Sequence, residues 1–129
     1  MTLVAVFIGG ILGTGLRLAI SGLVLPGSAF PWATFFINVL GSFMLGLLVA
    51  RVWPAAPAWL RAGLGAGLLG SFTTFSAVMV SLLTLTVAGL TVVAAVYLVA
   101  SVVVGFAAAL LGIRLGVRAP VDPPIGTDE

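Results

Sequence analysis

The chain is a succession of long apolar stretches separated by short turns. A first stretch ends at the Pro26-Gly27-Ser28 turn, and a second begins at Pro31 and ends before a loop containing Pro54 and Pro57. The remaining apolar sequence, from Ala62 to Ile113, contains no charged residue and is long enough for two helices joined near 86–89. Since a membrane-spanning helix needs about 20 apolar residues, the pattern predicts four spans, at about 3–25, 32–53, 58–85 and 90–113.

Composition places these helices in a membrane and excludes several functions. The chain of 129 residues is 62% hydrophobic and 6% charged, whereas soluble domains are about 25% charged. All three acids, Asp122, Asp128 and Glu129, lie in the polar segment 114–129, and there is no His or Cys. Zinc sites, acid-base pairs and thiol nucleophiles therefore lack their side chains, and we expect no enzyme. We expect one all-α membrane domain over 1–113 and a disordered cytoplasmic tail over 114–129.

The arginines predict an orientation. With four spans, both termini and the second loop share one side, which carries Arg51, Arg61, Arg114 and Arg118, and the opposite loops carry none. The positive-inside rule then predicts that both termini are cytoplasmic and that the orientation in the cell membrane is fixed. No basic cluster is dense enough to bind nucleic acid. Arg17 lies within the first span, where it snorkels to the interface, forms structural hydrogen bonds, or attracts anions at the vestibule of a pore.

Polar side chains recur on one face of the second helix. Thr34, Asn38 and Ser42 are spaced by four residues and share that face. Beside the small residues Gly41 and Gly46 they are typical of interhelical hydrogen bonding. The two N–H donors of the Asn38 amide equally suit an anion at mid-membrane, and both interpretations stay open.

The middle of the third span, 70–76, is rich in Gly, Ser and Thr and predicts a break in the helix. Hydroxyls of Thr73, Thr74 and Ser76 would favour a small anion, whereas main-chain carbonyls at a break could hold Na+. A simple glycine kink is the alternative. Tyr97 and Ser101, four residues apart, form a weaker polar stripe on the fourth helix.

Three sequence blocks resemble one known family along nearly the whole chain except the tail. They are Gly9-Gly10-Ile11-Leu12-Gly13 with Arg17 and Ser21; Pro31 through Thr34 to Asn38-Val39-Leu40-Gly41-Ser42-Phe43 and Gly46; and Gly70-Ser71-Phe72-Thr73-Thr74-Phe75-Ser76. In order and spacing they are similar to the signature blocks of the Fluc (CrcB) fluoride channel family. Any one block is weak evidence, but three in register are specific.

The resemblance implies a fold, a ligand and a cofactor. Fluc subunits have four helices with a break in the third and form an antiparallel dimer in membrane lipid, with two fluoride pores and a structural Na+ at the centre. By resemblance, the main-chain carbonyls of Gly70 and Thr73 hold the Na+. The expected fluoride pore is lined by polar and aromatic residues of helices 2, 3 and 4: Thr34, Asn38, Thr74, Phe75, Ser76, Tyr97 and Ser101.

The chain also departs from the family pattern. Val78 stands where the family has a second phenylalanine, Ala77 replaces a threonine, Ser71 replaces a glycine, and the fourth-helix track stops at Gly105 and Ala109. A homodimer would lack one ring in both pores.

The arginine bias also bears on whether the chain forms a homodimer, because an antiparallel homodimer needs chains without an orientation preference. We therefore expect one half of a heterodimer with an oppositely oriented paralogue that exports F− passively. The alternatives are a non-conducting assembly subunit and a small multidrug-type transporter, which the missing intramembrane acid disfavours.

Overall fold

The protein is a bundle of four apolar helices. A computed structural model describes residues 1–23 and 27–117. Helix 1 covers Thr2–Leu23, helix 2 Trp32–Arg51, helix 3 Ala58–Val87 and helix 4 Thr91–Gly116. Each is long and apolar enough to cross a membrane, and the described residues contain no strand. The predicted four-helix fold is confirmed; residues 24–25 of the predicted first span and 118–129 of the predicted tail lie outside the described part.

The C-terminal ends of the helices differ by two or three residues from the ends of the predicted spans. Helix 2 stops at Arg51, because Pro54 disfavours helical backbone before it. Helix 3 continues to Val87 and ends in a turn at Gly89, whose φ of +76° suits a residue without a Cβ. There the Leu90 N–H donates to the Leu85 carbonyl over 2.8 Å. Helix 4 continues past Arg114, a cation that the C-terminal end of a helix tolerates well.

Helix 3 is interrupted once, close to where the sequence predicts a break. Helix 3a, residues 58–72, and helix 3b, Phe75–Val87, are separated by Thr73 and Thr74, which are extended. The interruption is narrower than the predicted 70–76 because Gly70–Phe72 is still helical. Helix 3a also contains a π-helical segment, Gly63–Leu69, which the sequence pattern did not predict. Such segments often lie at functional sites.

Helices 1 and 3a run parallel and touch along a seam of glycines. A Cβ added at Gly9 would collide with the Gly63 carbonyl oxygen, and one added at Gly13 with the Leu68 carbonyl oxygen. Gly67 meets the Val6 backbone in the same way. Small residues let membrane helices approach until their backbones are in contact. This glycine seam fixes helix 3a, and with it one side of the break.

Helices 2 and 4 form a second parallel pair. The missing side chain of Gly46 makes room for the Ala109 carbonyl, and that of Gly112 for the Phe43 carbonyl. Gly116, at the end of helix 4, lies against the Arg51 backbone at the end of helix 2. The pairing brings the C-terminal ends of both helices to the same end of the bundle.

The two ends of the bundle differ in chemistry. Arg51, Arg61 and Arg114 are exposed at one end, which also holds the start of helix 1, because Ala5 contacts Gly63. The other end carries a cluster of aromatic rings: Phe30, Trp32, Phe35, Phe36 and Tyr97. Arg51, Arg61 and Arg114 therefore lie on the same side, as the loop count predicted, and Arg118 lies outside the described residues.

Candidate functional site

The break in helix 3 is held by one side chain of helix 2. The Asn38 Nδ2 donates to the Thr74 carbonyl over 3.1 Å, and the Thr74 N–H donates to Asn38 Oδ1 over 2.9 Å. The amide thus satisfies both main-chain groups of the extended residue. Because backbone polar groups at membrane depth have no water to bond, this Asn38 clasp is what makes the break tolerable.

Hydroxyls of the break complete the ends of the two half-helices. Thr74 is the N-cap of helix 3b, and its Oγ1 accepts the Ala77 N–H over 3.2 Å and lies 3.0 Å from the Ser76 Oγ. The Thr73 hydroxyl donates to the Leu69 carbonyl over 2.9 Å. N-capping hydroxyls satisfy one of the otherwise unbonded N–H groups of a first turn. The threonine pair therefore ends one helix and starts the next.

Gly70 and Thr73 supply two of the carbonyls that lose their helical donors at the break. In a continuous helix the Gly70 carbonyl would accept from the Thr74 N–H, and the Thr73 carbonyl from the Ala77 N–H. Here the Thr74 N–H bonds Asn38 and the Ala77 N–H bonds the Thr74 hydroxyl. Hard cations such as Na+ prefer oxygen ligands, as main-chain carbonyls at broken helices provide. The two residues predicted to bind Na+ fit that role.

A groove of about 880 Å³ runs along the break. Most of the predicted site residues line it: Asn38, Gly70, Thr73, Thr74, Phe75 and Ser101. Ser42, which the sequence offered as a packing residue, also lines the groove. No Asp or Glu occurs in the described part of the chain. The groove therefore offers amide and hydroxyl donors without any negative side chain.

The other predicted pore residues lie elsewhere. Tyr97 is completely buried, its ring edge-on to Phe30 with centroids 5.3 Å apart, and does not line the groove. Ser76 joins the site only through the Thr74 hydroxyl. Thr34 and Arg17 are half-buried and are not part of the groove lining. Their proposed roles stay predictions.

The two positions of the phenylalanine pair face differently. Phe75 is 76% exposed on the subunit surface, whereas Val78 is 6% exposed and lies in the groove wall. The residue that departs from the family pattern is thus one that contacts the groove.

The sequence interpretation missed two groove residues whose side chains carry hydrogen-bond donors. Trp53 and Arg61 line it together with the break residues. Arg61 was counted only for orientation. Its position four residues after Pro57 could have indicated that Arg61 lies in the first turns of the third helix, near the glycines that follow. Helical periodicity alone could not show which other helix its side chain faces.

Comparison with known proteins gives a consistent family. Residues 4–113 match the family described as CrcB-like protein, Camphor Resistance (CrcB). The chain is 40% identical over 109 residues to "Fluoride-specific ion channel FluC 1" of Mycobacterium tuberculosis, covering 82% of this chain and 83% of that protein. It is 41% identical over 114 residues to "Fluoride-specific ion channel FluC" of Thermus thermophilus, covering 86% and 91%. A Xanthomonas euvesicatoria protein of the same name is 38% identical over 112 residues, covering 84% of each.

Proposed function

The chain belongs to the CrcB family of membrane channel proteins, and from this premise we propose that it is a subunit of a fluoride-selective channel. It lets F− leave the cytoplasm down its electrochemical gradient and so lowers fluoride toxicity. The observation that carries the proposal is the acid-free groove at the helix 3 break, with the Asn38 clasp in its wall. As a multi-pass membrane channel protein it is not an enzyme.

The donors in the groove suit a small, strongly hydrated anion. Only one hydrogen of the Asn38 amide is used by Thr74, so its second N–H can donate to an ion in the groove. The Ser42 hydroxyl adds a donor on helix 2, and the ring edge of Phe75 carries partial positive charge. Fluoride leaving water needs such replacements for its hydration shell, because unpaired charge in a low-dielectric interior is costly.

A structural Na+ belongs to the same proposal. The free Gly70 and Thr73 carbonyls would hold it, and the ion would supply a fixed positive charge that neutralises the carbonyl dipoles at the break. The residues of this chain supply the oxygens and keep them free by diverting two N–H groups to Asn38 and Thr74. Exchanging Na+ for N-methylglucamine should lower the melting temperature of the purified protein, and an unchanged melting temperature would refute the Na+ site.

The assembly we propose is an antiparallel heterodimer with cytoplasmic termini. Exposed arginines lie at one end of the bundle, which disfavours insertion in two orientations. Val78 supplies no ring to the groove, so the partner must bring the second phenylalanine. The partner would be a paralogue with its arginines on the opposite loops.

Fluoride efflux from liposomes tests conduction and assembly together. The chain with a paralogue of opposite charge bias should release fluoride rapidly, whereas the chain alone should release it slowly. Rapid efflux by the chain alone would overturn the heterodimer but support the channel. No efflux from either preparation would overturn the channel.

A non-conducting assembly subunit is the second candidate, favoured by Val78 and by the apolar end of the helix 4 stripe at Gly105 and Ala109. Phe75 substitutions separate the two candidates, because the Phe75 side chain takes no part in the Asn38 clasp that holds the break. In a conducting subunit they slow efflux of the heterodimer, and in an assembly subunit they leave it unchanged.

A further inference from the structure

The groove extends from the break to the end of the bundle that carries the arginines. Its lining includes Asn38 and Thr74 at the break and also Trp53 and Arg61. Trp53 follows the last turn of helix 2, and Arg61 lies in the first turns of helix 3a. Two side chains from opposite sides of the second loop therefore meet in one cavity with the proposed conducting residues.

Trp53 carries an unpaired hydrogen-bond donor beside this end of the groove. Its Nε1 is buried and has no acceptor within the described residues. An indole N–H can only donate, and a buried donor left unpaired costs about 1–3 kcal/mol. An acceptor brought to the indole N–H from the groove would relieve this cost.

The backbone at Trp53 is fixed by helix 2, and its ring packs against helix 3a. The N–H groups of Val52 and Trp53 both donate to the Leu48 carbonyl over 2.9 Å. The ring lies over Gly65 in the π-helical segment, where an added Cβ would be 3.3 Å from the indole Cζ2.

Arg61 supplies the positive charge of this end. It is the one charged residue among the groove-lining residues that the structure describes, and no carboxylate lies in residues 1–117 to neutralise it. Because Arg61 is exposed, its attraction for an anion is moderated by solvent. A moderate attraction allows an anion to bind near Arg61 and then to leave this residue and move along the groove.

We propose that Arg61 and Trp53 form a binding site for a small monovalent anion at this mouth of the groove. The Arg61 guanidinium and the Trp53 N–H hold the anion at this mouth, and the anion then moves along the groove to the break. The assignment of the anion as fluoride rests on the proposed function, whereas the site itself rests on the groove, the unpaired indole donor and the guanidinium. A phospholipid phosphate has the same acceptor chemistry, and the experiment must distinguish it.

Tryptophan fluorescence tests the site directly. In the full-length chain, Trp32→Phe and Trp59→Phe leave Trp53 as the only tryptophan, and the protein is kept in dodecyl maltoside, which contains no phosphate. Replacing sodium gluconate by sodium fluoride at constant ionic strength should change the Trp53 emission with saturation. Arg61→Gln should abolish the change and Arg61→Lys should retain it.

Arg51→Gln is the matched control, because Arg51 is exposed at the same end but does not line the groove. It removes the same charge and should leave the fluorescence response intact. A response that is absent, or lost equally in the two glutamine variants, would overturn the site. A response to added phosphatidylcholine but not to fluoride would assign a lipid headgroup and also overturn it.

Efflux from the conducting assembly gives a second readout. At low internal fluoride, Arg61→Gln and Trp53→Phe should slow efflux about threefold, and at saturating fluoride efflux should equal that of the wild type. An equal slowing by Arg51→Gln would mean a general surface charge and contradict the site. If the wild type shows the fluorescence response but no efflux, the proposed function fails and the anion site stands.

Discussion

The glycine seam between helices 1 and 3a and the break between helices 3a and 3b meet at Phe72, yet they are held by opposite means. In the seam, Gly9 and Gly13 let the two backbones touch, and this close packing depends on the absence of a Cβ at these positions. At the break, three hydrogen bonds of Asn38 and Thr74 replace lost helical bonds, and the Thr73 hydroxyl adds a second bond to the Leu69 carbonyl. The seam should therefore be sensitive to added atoms, and the break to removed ones.

Asn38→Ala should have the largest effect, because it removes both bonds of the clasp. The Thr74 N–H and carbonyl are then unpaired at membrane depth, and each costs about 1–3 kcal/mol. We expect fluoride efflux from liposomes to fall about a hundredfold. Thr84→Ala is the control, because it removes a hydroxyl that lies outside the groove and bonds only the Val80 carbonyl of its own helix, and it should retain most of the rate. Equal rates for the two variants would show that the clasp does not govern conduction.

Gly13→Ala should break the seam by adding one methyl group. Its Cβ would collide with the Leu68 carbonyl oxygen, which is backbone and cannot rotate away. We expect a loss of about 1–3 kcal/mol of stability, measured as a lower melting temperature in detergent. Gly15→Ala is matched, because a Cβ there meets nothing within 4 Å, and it should melt like the wild type. A stable Gly13→Ala variant would mean that the helices can separate without loss.

Thr74→Ala should weaken the break without destroying it. It removes the N-cap oxygen that accepts the Ala77 N–H, at a cost of about 1 kcal/mol, and leaves the Asn38 clasp in place. We expect a smaller decrease in efflux than for Asn38→Ala, about fivefold. Thr74→Ser keeps the oxygen and should restore the rate. If serine fails to restore it, the methyl group rather than the cap is what matters.

Ser71→Gly should have the smallest effect, although it restores the residue expected from the family pattern. Ser71 lies where seam and break adjoin, and Gly10 leaves room for it, since a Cβ at Gly10 would be 3.4 Å from the Ser71 Oγ. Glycine in a helix costs about 0.5–1 kcal/mol, so the melting temperature should decrease slightly and efflux should not change. A strong increase in efflux would show that Ser71 restricts the break.

The difference between local sequence features and contacts between helices explains how much of the site could be predicted from the sequence. Asn38, Thr73, Thr74 and Phe75 were identified as one site from the sequence blocks, and the structure brings them together. The partner of Asn38 could not be inferred from helical periodicity, because the Thr74 main chain is 36 residues away and the bond depends on how two helices are placed.

Tyr97 shows the opposite outcome. Its spacing from Ser101 put both on one helical stripe, but the bundle buries Tyr97 against Phe30 and leaves Ser101 in the groove. Residues on one face of a helix differ in how deeply they are buried and in their position along the helix axis. Which of them meets a cavity is decided by the neighbouring helices.

The four apolar helices, the orientation bias, the acid-free interior and the position of the break could be inferred from the residues alone, because they depend on local composition and spacing. The packing of the helices was needed to show that Asn38 bonds the Thr74 backbone, that the Gly70 and Thr73 carbonyls lose their helical donors, and that Trp53 and Arg61 share the groove. These features arise where separate helices meet, and the contact geometry there is set by close glycine packing rather than by the pattern within any one helix.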